Sequence, residues 1–281
     1  MAFVAQRVGA DFVGSFTFTG VRFLLGAVTL TPVIFILERD PGSDSERKIT
    51  ILAGIGAGLL VFFGASLQQF GVFFTGSAGR SGFITGLYTV LVPIIGIFLG
   101  RSTSALTWVG AFSAIFGFYL LSAPSWGSIA IGDVLLLICA FFWAWHILFV
   151  DKFASRIKPI RFSVTQFTTC GIVSIICAFI FEEVTVSGLT AGIAPILYSG
   201  ILSVGIAYTL QIVAQKGVEP TKAAIIFSLE TLFSVIGGAL LLGETMNVRG
   251  YIGCLFIFAG IIASQITIKK KRPFADMQTG M

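Results

Sequence analysis

Long apolar stretches separated by short polar segments fill almost the whole chain. Nine of them are close to 20 residues in length, and each is long enough to cross the hydrocarbon core of a bilayer as a helix. Membrane β-strands would instead show segments of about ten residues with alternating hydrophobicity. The pattern predicts an all-α polytopic membrane protein. The predicted spans are residues 16–37, 51–74, 81–99, 105–122, 131–150, 163–181, 194–214, 222–242 and 249–268.

The composition agrees with a lipid environment. Hydrophobic residues make up 56% of the 281 residues and charged residues only 11%, whereas an ordinary soluble domain carries roughly 25% charged residues. We therefore expect the lipid bilayer to surround most of the chain. The net charge of +5 is not gathered into a basic stripe with interleaved aromatics, which excludes nucleic acid as a partner.

Lysine and arginine fall mainly on one side of the predicted bundle. Of the 18 bases, 14 lie on the side that carries the carboxyl terminus, three lie on the opposite side, and Arg22 lies inside a span. Short cytoplasmic loops retain basic residues, so the bias predicts a cytoplasmic carboxyl terminus. We expect an integral, multi-pass protein of a bacterial plasma (inner) membrane, with residue 1 on the far side.

The two halves of the chain resemble each other when the second is shifted back by 143 residues. TrpValGly at 108–110 then aligns with TyrIleGly at 251–253, and LeuGlyArg at 99–101 aligns with LeuGlyGlu at 242–244. Gly117 and Gly260 also coincide. The shift predicts an internal repeat of about half the chain.

This repeat predicts the domain organisation. The first repeat covers residues 1–124, the second covers residues 125–268, and residues 269–281 form a cytoplasmic basic tail. The helix at 131–150 has a counterpart of which only Met1–Val8 is present, so we expect nine transmembrane helices of ten. Five helices per repeat is an odd number, which places the two copies in opposite orientations, as in many secondary transporters.

One segment resembles a known family. Gly79–Gly96, with the sequence GRSGFITGLYTVLVPIIG, is followed by WVG and a glycine-rich helix, and resembles the drug/metabolite transporter superfamily, EamA-type. RFLLGA at Arg22–Ala27 and LLLGE at Leu240–Glu244 also resemble it. The resemblance implies two inverted five-helix repeats and movement of small organic metabolites or drugs through a central cavity. The family commonly has proline after the acid of its ninth helix, where this chain has Thr231.

Glu230 is the acidic residue deepest in the predicted membrane. It lies eight residues beyond Lys222, which is about 12 Å along a helix. An ionised side chain at that depth costs a few kcal/mol or more, so it should face a cavity or a partner. It either binds a substrate cation or a proton, or its carboxylate bonds to neighbouring hydroxyls and fixes helix packing.

Further polar side chains recur at helical spacing. Tyr208 and Gln211 share one helical face, and Thr85 and Tyr88 form a similar patch on another predicted span. Each pair predicts either the wall of a wet cavity or hydrogen bonding between helices.

Four other residues complete the candidate set. The adjacent Gln68 and Gln69 point in different directions, so at least one should face the interior. Arg22 either anchors its helix, by reaching the interface or bonding to helix-end carbonyls, or binds an anion directly. His146, the single histidine, is either a proton relay or a packing residue.

Transport is the function that the sequence favours. We expect a secondary transporter that works by alternating access, in the export direction, with a small-molecule substrate and protons as the candidate coupling ion. The alternatives are a membrane-embedded enzyme and a truncated, non-transporting membrane protein. An enzyme is not expected, because the chain shows no nucleophile-and-base or metal-ligand constellation, and for the same reason no cofactor is expected. The sequence carries no signal for an oligomeric state.

Overall fold

Helices account for every regular element of the described chain. A computed structural model describes residues 1–40, 42–100, 105–122, 130–215 and 220–265. The helices are α1 Ala2–Gly9, α2 Ser15–Leu37, α3 Asp44–Thr75, α4 Ala78–Thr85, α5 Tyr88–Phe98, α6 Ala105–Ser122, α7 Ile131–Phe153, α8 Pro159–Phe181, α9 Val186–Ala191, α10 Ile193–Leu197, α11 Thr209–Gln215, α12 Pro220–Leu242 and α13 Val248–Gln265. A 3₁₀ turn at Ala154–Arg156 follows α7, and a π-helix at Tyr198–Tyr208 joins α10 to α11.

These helices follow the predicted spans closely. Six helical segments within the described residues are long and apolar enough to cross a membrane: Ser15–Leu37, Asp44–Thr75, Ala78–Phe98, Ile131–Arg156, Pro159–Phe181 and Ile193–Gln215. Shorter apolar helices occupy the other three predicted spans, at Trp108–Leu121, Glu230–Leu242 and Val248–Ala263. The protein is therefore an all-helical, multi-pass integral membrane protein.

Helix α3 begins seven residues before the predicted span, at Asp44. The Ser43 hydroxyl accepts a hydrogen bond from the Glu46 N–H at 3.2 Å, and Ser-x-x-Glu is the sequence of a capping box. The acids in the first turn also suit the positive end of the helix dipole. The helix ends where Gly76 adopts a left-handed conformation at φ 63°, which glycine accommodates without steric cost.

One predicted span is broken in the middle. Helix α4 ends at Thr85 and α5 begins at Tyr88, with a turn at Gly86 and Leu87 between them. Pro93 lies inside α5 and has no N–H to donate. Gly86 and Leu87 keep right-handed helical backbone angles, and the turn lies beside two of the candidate site residues, Thr85 and Tyr88.

Helix α4 lies unusually close to α12. A methyl group added to Gly82 would overlap the Ser234 side chain, and one added to Gly86 would overlap the Thr231 side chain. Lipid provides no hydrophobic drive for helix association, so such close backbone contact is what holds membrane helices together. Glycine is therefore required on this face of α4.

Two carboxylates lock α2 and α8 together at both ends. The N–H groups of Phe16 and Thr17, at the start of α2, donate to Glu182 at 2.8 and 2.9 Å. At the opposite end, Ile160 and Arg161 donate from the start of α8 to Glu38 at 2.9 and 3.0 Å. The first N–H groups of a helix have no partner within it and favour a negative charge.

The start of α4 is capped in the same way. The Ser77 hydroxyl and the Ala78 and Gly79 N–H groups donate to the Glu244 carboxylate at 2.7, 2.6 and 3.1 Å. Glu244 follows the end of α12, so it joins the two helices that meet at Gly82. We call this end of the bundle, where α4 begins and α12 ends, the Glu244 face.

Other polar contacts join the helices at the Glu244 face. Arg80 of α4 forms a salt bridge with Asp133, which is fully buried at the start of α7. Thr75 at the end of α3 and Ser81 share a hydrogen bond of 2.8 Å. Helix α4 is thereby tied to α3, α7 and α12.

Helices α6 and α13 pack through glycine on both sides. A methyl group on Gly117 would lie 2.5 Å from the Gly253 oxygen, and one on Gly253 would lie 2.7 Å from the Gly117 oxygen. Gly260 meets the Gly110 oxygen in the same way, at 2.5 Å. The contact is therefore nearly the same when the two helices are exchanged.

Candidate functional site

Two adjoining cavities lie beside Glu230: a small inner one, and a larger one that opens at the surface of the bundle, among exposed side chains such as Leu202, Leu210 and Phe233. The inner cavity leaves about 20 Å³ of free volume, room for about one water molecule, and the larger one leaves about 640 Å³. Tyr208, Gln211 and Glu230 line both, so these three side chains stand at the boundary. The inner cavity is lined by Phe3, Gln68, Thr85, Tyr88, Trp143, Ile147, Tyr208, Gln211 and Glu230.

The structure thus brings together six of the nine residues that the sequence singled out. Thr85 and Tyr88 flank the turn between α4 and α5, and both line the inner cavity. Tyr208 ends the π-helix and Gln211 lies in the following α11. Turns of π-helix within α-helical segments occur frequently at functional sites. Gln68 on α3 and Glu230 on α12 complete the six.

Glu230 is half-buried between the cavities. The salt bridges of the described residues are Arg7–Asp11 and Arg80–Asp133, so its carboxylate has none. A carboxylate at this depth that faces open space can exchange a proton or hold a cation without losing a structural bond.

A chain of hydrogen bonds fixes the Gln68 side of the cavity. The Trp143 indole N–H donates to Gln68 Oε1 at 2.8 Å, and Gln68 Nε2 donates to Gln6 Oε1 at 3.0 Å. Gln69 Nε2 donates to the Gln6 backbone oxygen, also at 3.0 Å. The network joins α1, α3 and α7. Gln69 is therefore placed in helix packing, whereas Gln68 both packs and lines the cavity.

Aromatic rings surround Tyr208. Its ring centroid lies 5.6 Å from that of Trp143, 6.2 Å from that of Phe23 and 6.4 Å from that of Phe167. Edge and tilted contacts of this kind are favourable between aromatic rings. They hold the Tyr208 ring at the boundary of the two cavities.

His146 does not line either cavity. Its Nε2 atom shares a hydrogen bond of 3.0 Å with Gln166 Oε1, and its ring packs edge-on against Trp143 at 5.8 Å. This placement connects α7 to α8 behind the cavity wall. Within the part of the chain that the structure describes, no cluster of three His, Cys, Asp or Glu residues could hold a metal.

Arg22 is fully buried and also lies outside both cavities. Its Nε, Nη1 and Nη2 atoms have no hydrogen-bond partner, so it neither reaches the interface nor bonds to helix-end carbonyls. The guanidinium lies 5.5 Å from the Phe18 ring centroid and 5.2 Å from that of Phe23. Such contacts contribute about 2 kcal/mol when desolvated, whereas burying an ion costs several kcal/mol. The ring contacts alone do not offset the burial of this charge.

Three residues of the inner cavity were not among the sequence candidates: Phe3, Trp143 and Ile147. Trp143 could have been predicted to face the interior, because an indole N–H inside a membrane span needs an acceptor. Ile147 follows one helical turn later on the same face. Phe3 gave none, since an apolar residue in a short helix looks the same whether it faces lipid or a cavity.

A multi-pass helical bundle around a central cavity with polar and aromatic walls is the architecture of a membrane transporter. The chain belongs to the EamA-like transporter family, which matches residues 1–123 and 130–264. The predicted family resemblance is therefore confirmed. Membership identifies the protein as a membrane transporter and implies a small-molecule substrate.

The names of individual relatives agree with membership of this family. The chain is 27% identical to an uncharacterized transporter of Archaeoglobus fulgidus, over 95% of this chain and 82% of the relative. It is 22% identical to the uncharacterized transporter YoaV of Bacillus subtilis, over 96% of this chain and 93% of the relative. A solved crystal structure superimposes with a TM-score of 0.68 at 17% identity and covers 94% of each chain. At that identity the likeness shows the fold alone.

Proposed function

We propose that this protein carries small organic metabolites or drugs through the inner cavity by alternating access. The observation that supports this most directly is the position of Glu230, half-buried with Tyr208 and Gln211 at the boundary of two cavities. A transport site needs polar groups that a substrate can reach in turn from more than one direction. The aromatic walls suit a substrate with an apolar body.

We also propose that residues 1–124 and 125–268 form two inverted repeats, with nine membrane-crossing segments in this chain. The caps on α2 and α8 support the inversion, because Phe16 and Glu38 lie 144 residues before their counterparts Ile160 and Glu182. The matching contacts of Gly117 with Gly253 and of Gly260 with Gly110 support it too, because the shift of 143 residues aligns Gly117 with Gly260 and Gly110 with Gly253. Reciprocal contacts of this kind are expected across a pseudo-twofold axis in the membrane plane.

The Glu244 face is the closed end of the proposed transport path. Glu244 and the Arg80–Asp133 salt bridge hold α4 there. The residue at the position of Glu244 in the first repeat is Arg101, and a guanidinium cannot accept hydrogen bonds from helix N–H groups. The chemistry of the repeat therefore supplies a carboxylate cap at one end of this helix pair only.

The positive-inside bias supports a cytoplasmic carboxyl terminus, so the Glu244 face is extracellular in this proposal. The membrane is the bacterial plasma membrane, and the direction is export. Glu230 binds the coupling proton or a cationic group of the substrate.

Purified full-length chain in proteoliposomes tests the proposal. Uptake of a metabolite and drug panel is measured with and without a pH gradient. We expect at least one compound to accumulate, and Glu230→Gln to abolish gradient-dependent uptake while protein yield stays normal. Glu183→Gln, which changes an exposed acid at the end of α8, is the matched control and should transport normally. A fully active Glu230→Gln protein would overturn the role of Glu230, and failure of all panel members would count against transport through this cavity.

A further inference from the structure

We propose that Arg22 is the residue that holds the anionic group of the substrate during transport. The substrate class is an amphipathic organic anion, with a carboxylate or phosphate on an apolar body. The proposal rests on the transport function above and names the substrate chemistry of the same site.

The lack of any partner for Arg22 is the first observation. Its side chain is completely buried and none of its three nitrogens has a hydrogen-bond partner. Buried charges in proteins are paired or hydrogen-bonded, because an unpaired ion in a dry interior is very costly. The contacts with the rings of Phe18 and Phe23 offset only part of that free-energy cost. A bound anion would supply the missing partner.

The position of Arg22 is the second observation. The Phe23 ring, which contacts the guanidinium, also packs against Tyr208 of the cavity wall. Arg22 forms no salt bridge with Glu230. Glu230 lines the chamber, whereas the guanidinium of Arg22 is buried outside it and is not paired with Glu230.

The chemistry of the surroundings defines the class of ligand. Guanidinium presents a planar fork of donors that matches carboxylate and phosphate oxygens in pairs. Phe3, Tyr88, Trp143 and Ile147 on the cavity wall provide apolar and aromatic surface for the rest of the molecule. An inorganic anion would leave that surface unused.

Access to Arg22 depends on the π-helix. One turn beyond Arg22, at Gly26 of α2, a methyl group would lie 2.5 Å from the Val204 side chain and 3.1 Å from the Gly200 oxygen. Both partners belong to the π-helix, which therefore covers this face of α2. A shift of the π-helix relative to α2 would open Arg22 to the chamber, so the described conformation is one in which the anion site is occluded.

Ligand titrations on the purified chain in detergent test the proposal at constant ionic strength. The probes are benzoate, phenyl phosphate and the uncharged analogue benzamide, and the readouts are the thermal unfolding midpoint and tryptophan fluorescence. We expect benzoate or phenyl phosphate, but not benzamide, to raise the midpoint and change the fluorescence. The comparison of the two anions separates a carboxylate from a phosphate site. Failure of both anions to bind the wild-type protein would overturn the proposal.

Variants of Arg22 make the test specific. Arg22→Gln should weaken anion binding by about tenfold to a hundredfold, the loss of a charge-assisted hydrogen-bonded pair. Arg22→Lys keeps the charge and guards against a failure of Arg22→Gln to fold; it should retain the preference for anions over benzamide with weaker affinity. Arg249→Gln is the matched control, since Arg249 also lies over a ring, 5.4 Å from the Tyr119 centroid, but is only half-buried.

Wild-type anion affinity in Arg22→Gln, or in Arg22→Lys if only that variant folds, would contradict the proposal. Equal losses in Arg249→Gln would also contradict it, because the effect would then be one of net charge. Neither result would contradict the transport proposal. That proposal is tested separately, by uptake of the neutral and cationic members of the panel.

Discussion

At the scale of single residues, the interior of this protein depends on polar groups that satisfy one another across helices. Gln68 is the clearest case, because one amide accepts from Trp143 and donates to Gln6. In hydrocarbon the alternative to each bond is an unmatched polar group, since no water competes for it. Gln68 also lines the inner cavity, so the same side chain contributes to helix packing and to the candidate site.

Replacing Gln68 by leucine should therefore be costly. The change leaves the Trp143 N–H and the Gln6 oxygen unmatched, and we expect a loss of about 1–3 kcal/mol in the free energy of unfolding. Equilibrium unfolding in mixed micelles measures it. The double variant Gln68→Leu/Trp143→Phe should lose less than the sum of the single changes. Simple additivity would show that the two side chains do not act as a unit.

At the scale of helices, close contact through glycine and capping by distant carboxylates decide which pairs associate. Helices α4 and α12 meet at Gly82 and Gly86, whereas α2 and α8 are joined at their ends by Glu38 and Glu182. These two means of association differ physically. Contact through glycine sets how near two helices lie. Capping by a carboxylate sets where one helix begins relative to the end of another.

Gly82→Ala tests the backbone contact. The added methyl group overlaps Ser234, so we expect a loss of about 1–3 kcal/mol in the free energy of unfolding, as for other overpacked sites. Ser234→Gly in the same chain should restore part of the loss. Gly64→Ala is the matched control, because its methyl group would lie at an ordinary contact distance of 3.4 Å from Trp143. A loss of equal size in the control would refute the interpretation.

At the scale of the whole molecule, the proposed transport cycle requires the Glu244 face to open. In the sequence of the first repeat, Arg101 stands at the position of Glu244, whereas the α2–α8 pair is capped at both ends. We therefore assign movement to the α4–α12 pair and a fixed framework to the α2–α8 pair.

Glu244→Gln should raise access to the inner cavity from its own face. The amide accepts weaker bonds from Ser77 and Ala78 than the carboxylate does, so the open state becomes more populated. A cysteine placed at Thr85 should react several-fold faster with an impermeant maleimide applied from that side. Glu182→Gln makes the same chemical change at the carboxylate that caps the start of α2. It should lower stability without changing the labelling rate. Equal acceleration by both variants would rule out a specific role for Glu244.

The sequence by itself determined the class of fold and much of the site. Apolar runs longer than any loop between them are sufficient to predict helical spans, because an unpaired backbone cannot cross hydrocarbon. Tyr208 and Gln211 could be placed together from their spacing, since both belong to one helical segment. The family resemblance rested on the residues of α4 and α5 and on shorter matches at Arg22–Ala27 and Leu240–Glu244.

Tertiary structure alone decided which polar groups are satisfied. Glu182 meets Thr17 at a separation of 165 residues, and Gln68 meets Gln6 at a separation of 62, distances over which helical periodicity carries no information. The π-helix at Tyr198–Tyr208 is likewise invisible in the hydrophobic pattern, because its two serines and two tyrosines are too few to distinguish one helical repeat from another. Arg22 shows the difference most clearly: its position inside a span is written in the sequence, but that its guanidinium has no partner follows only from how the helices pack around it.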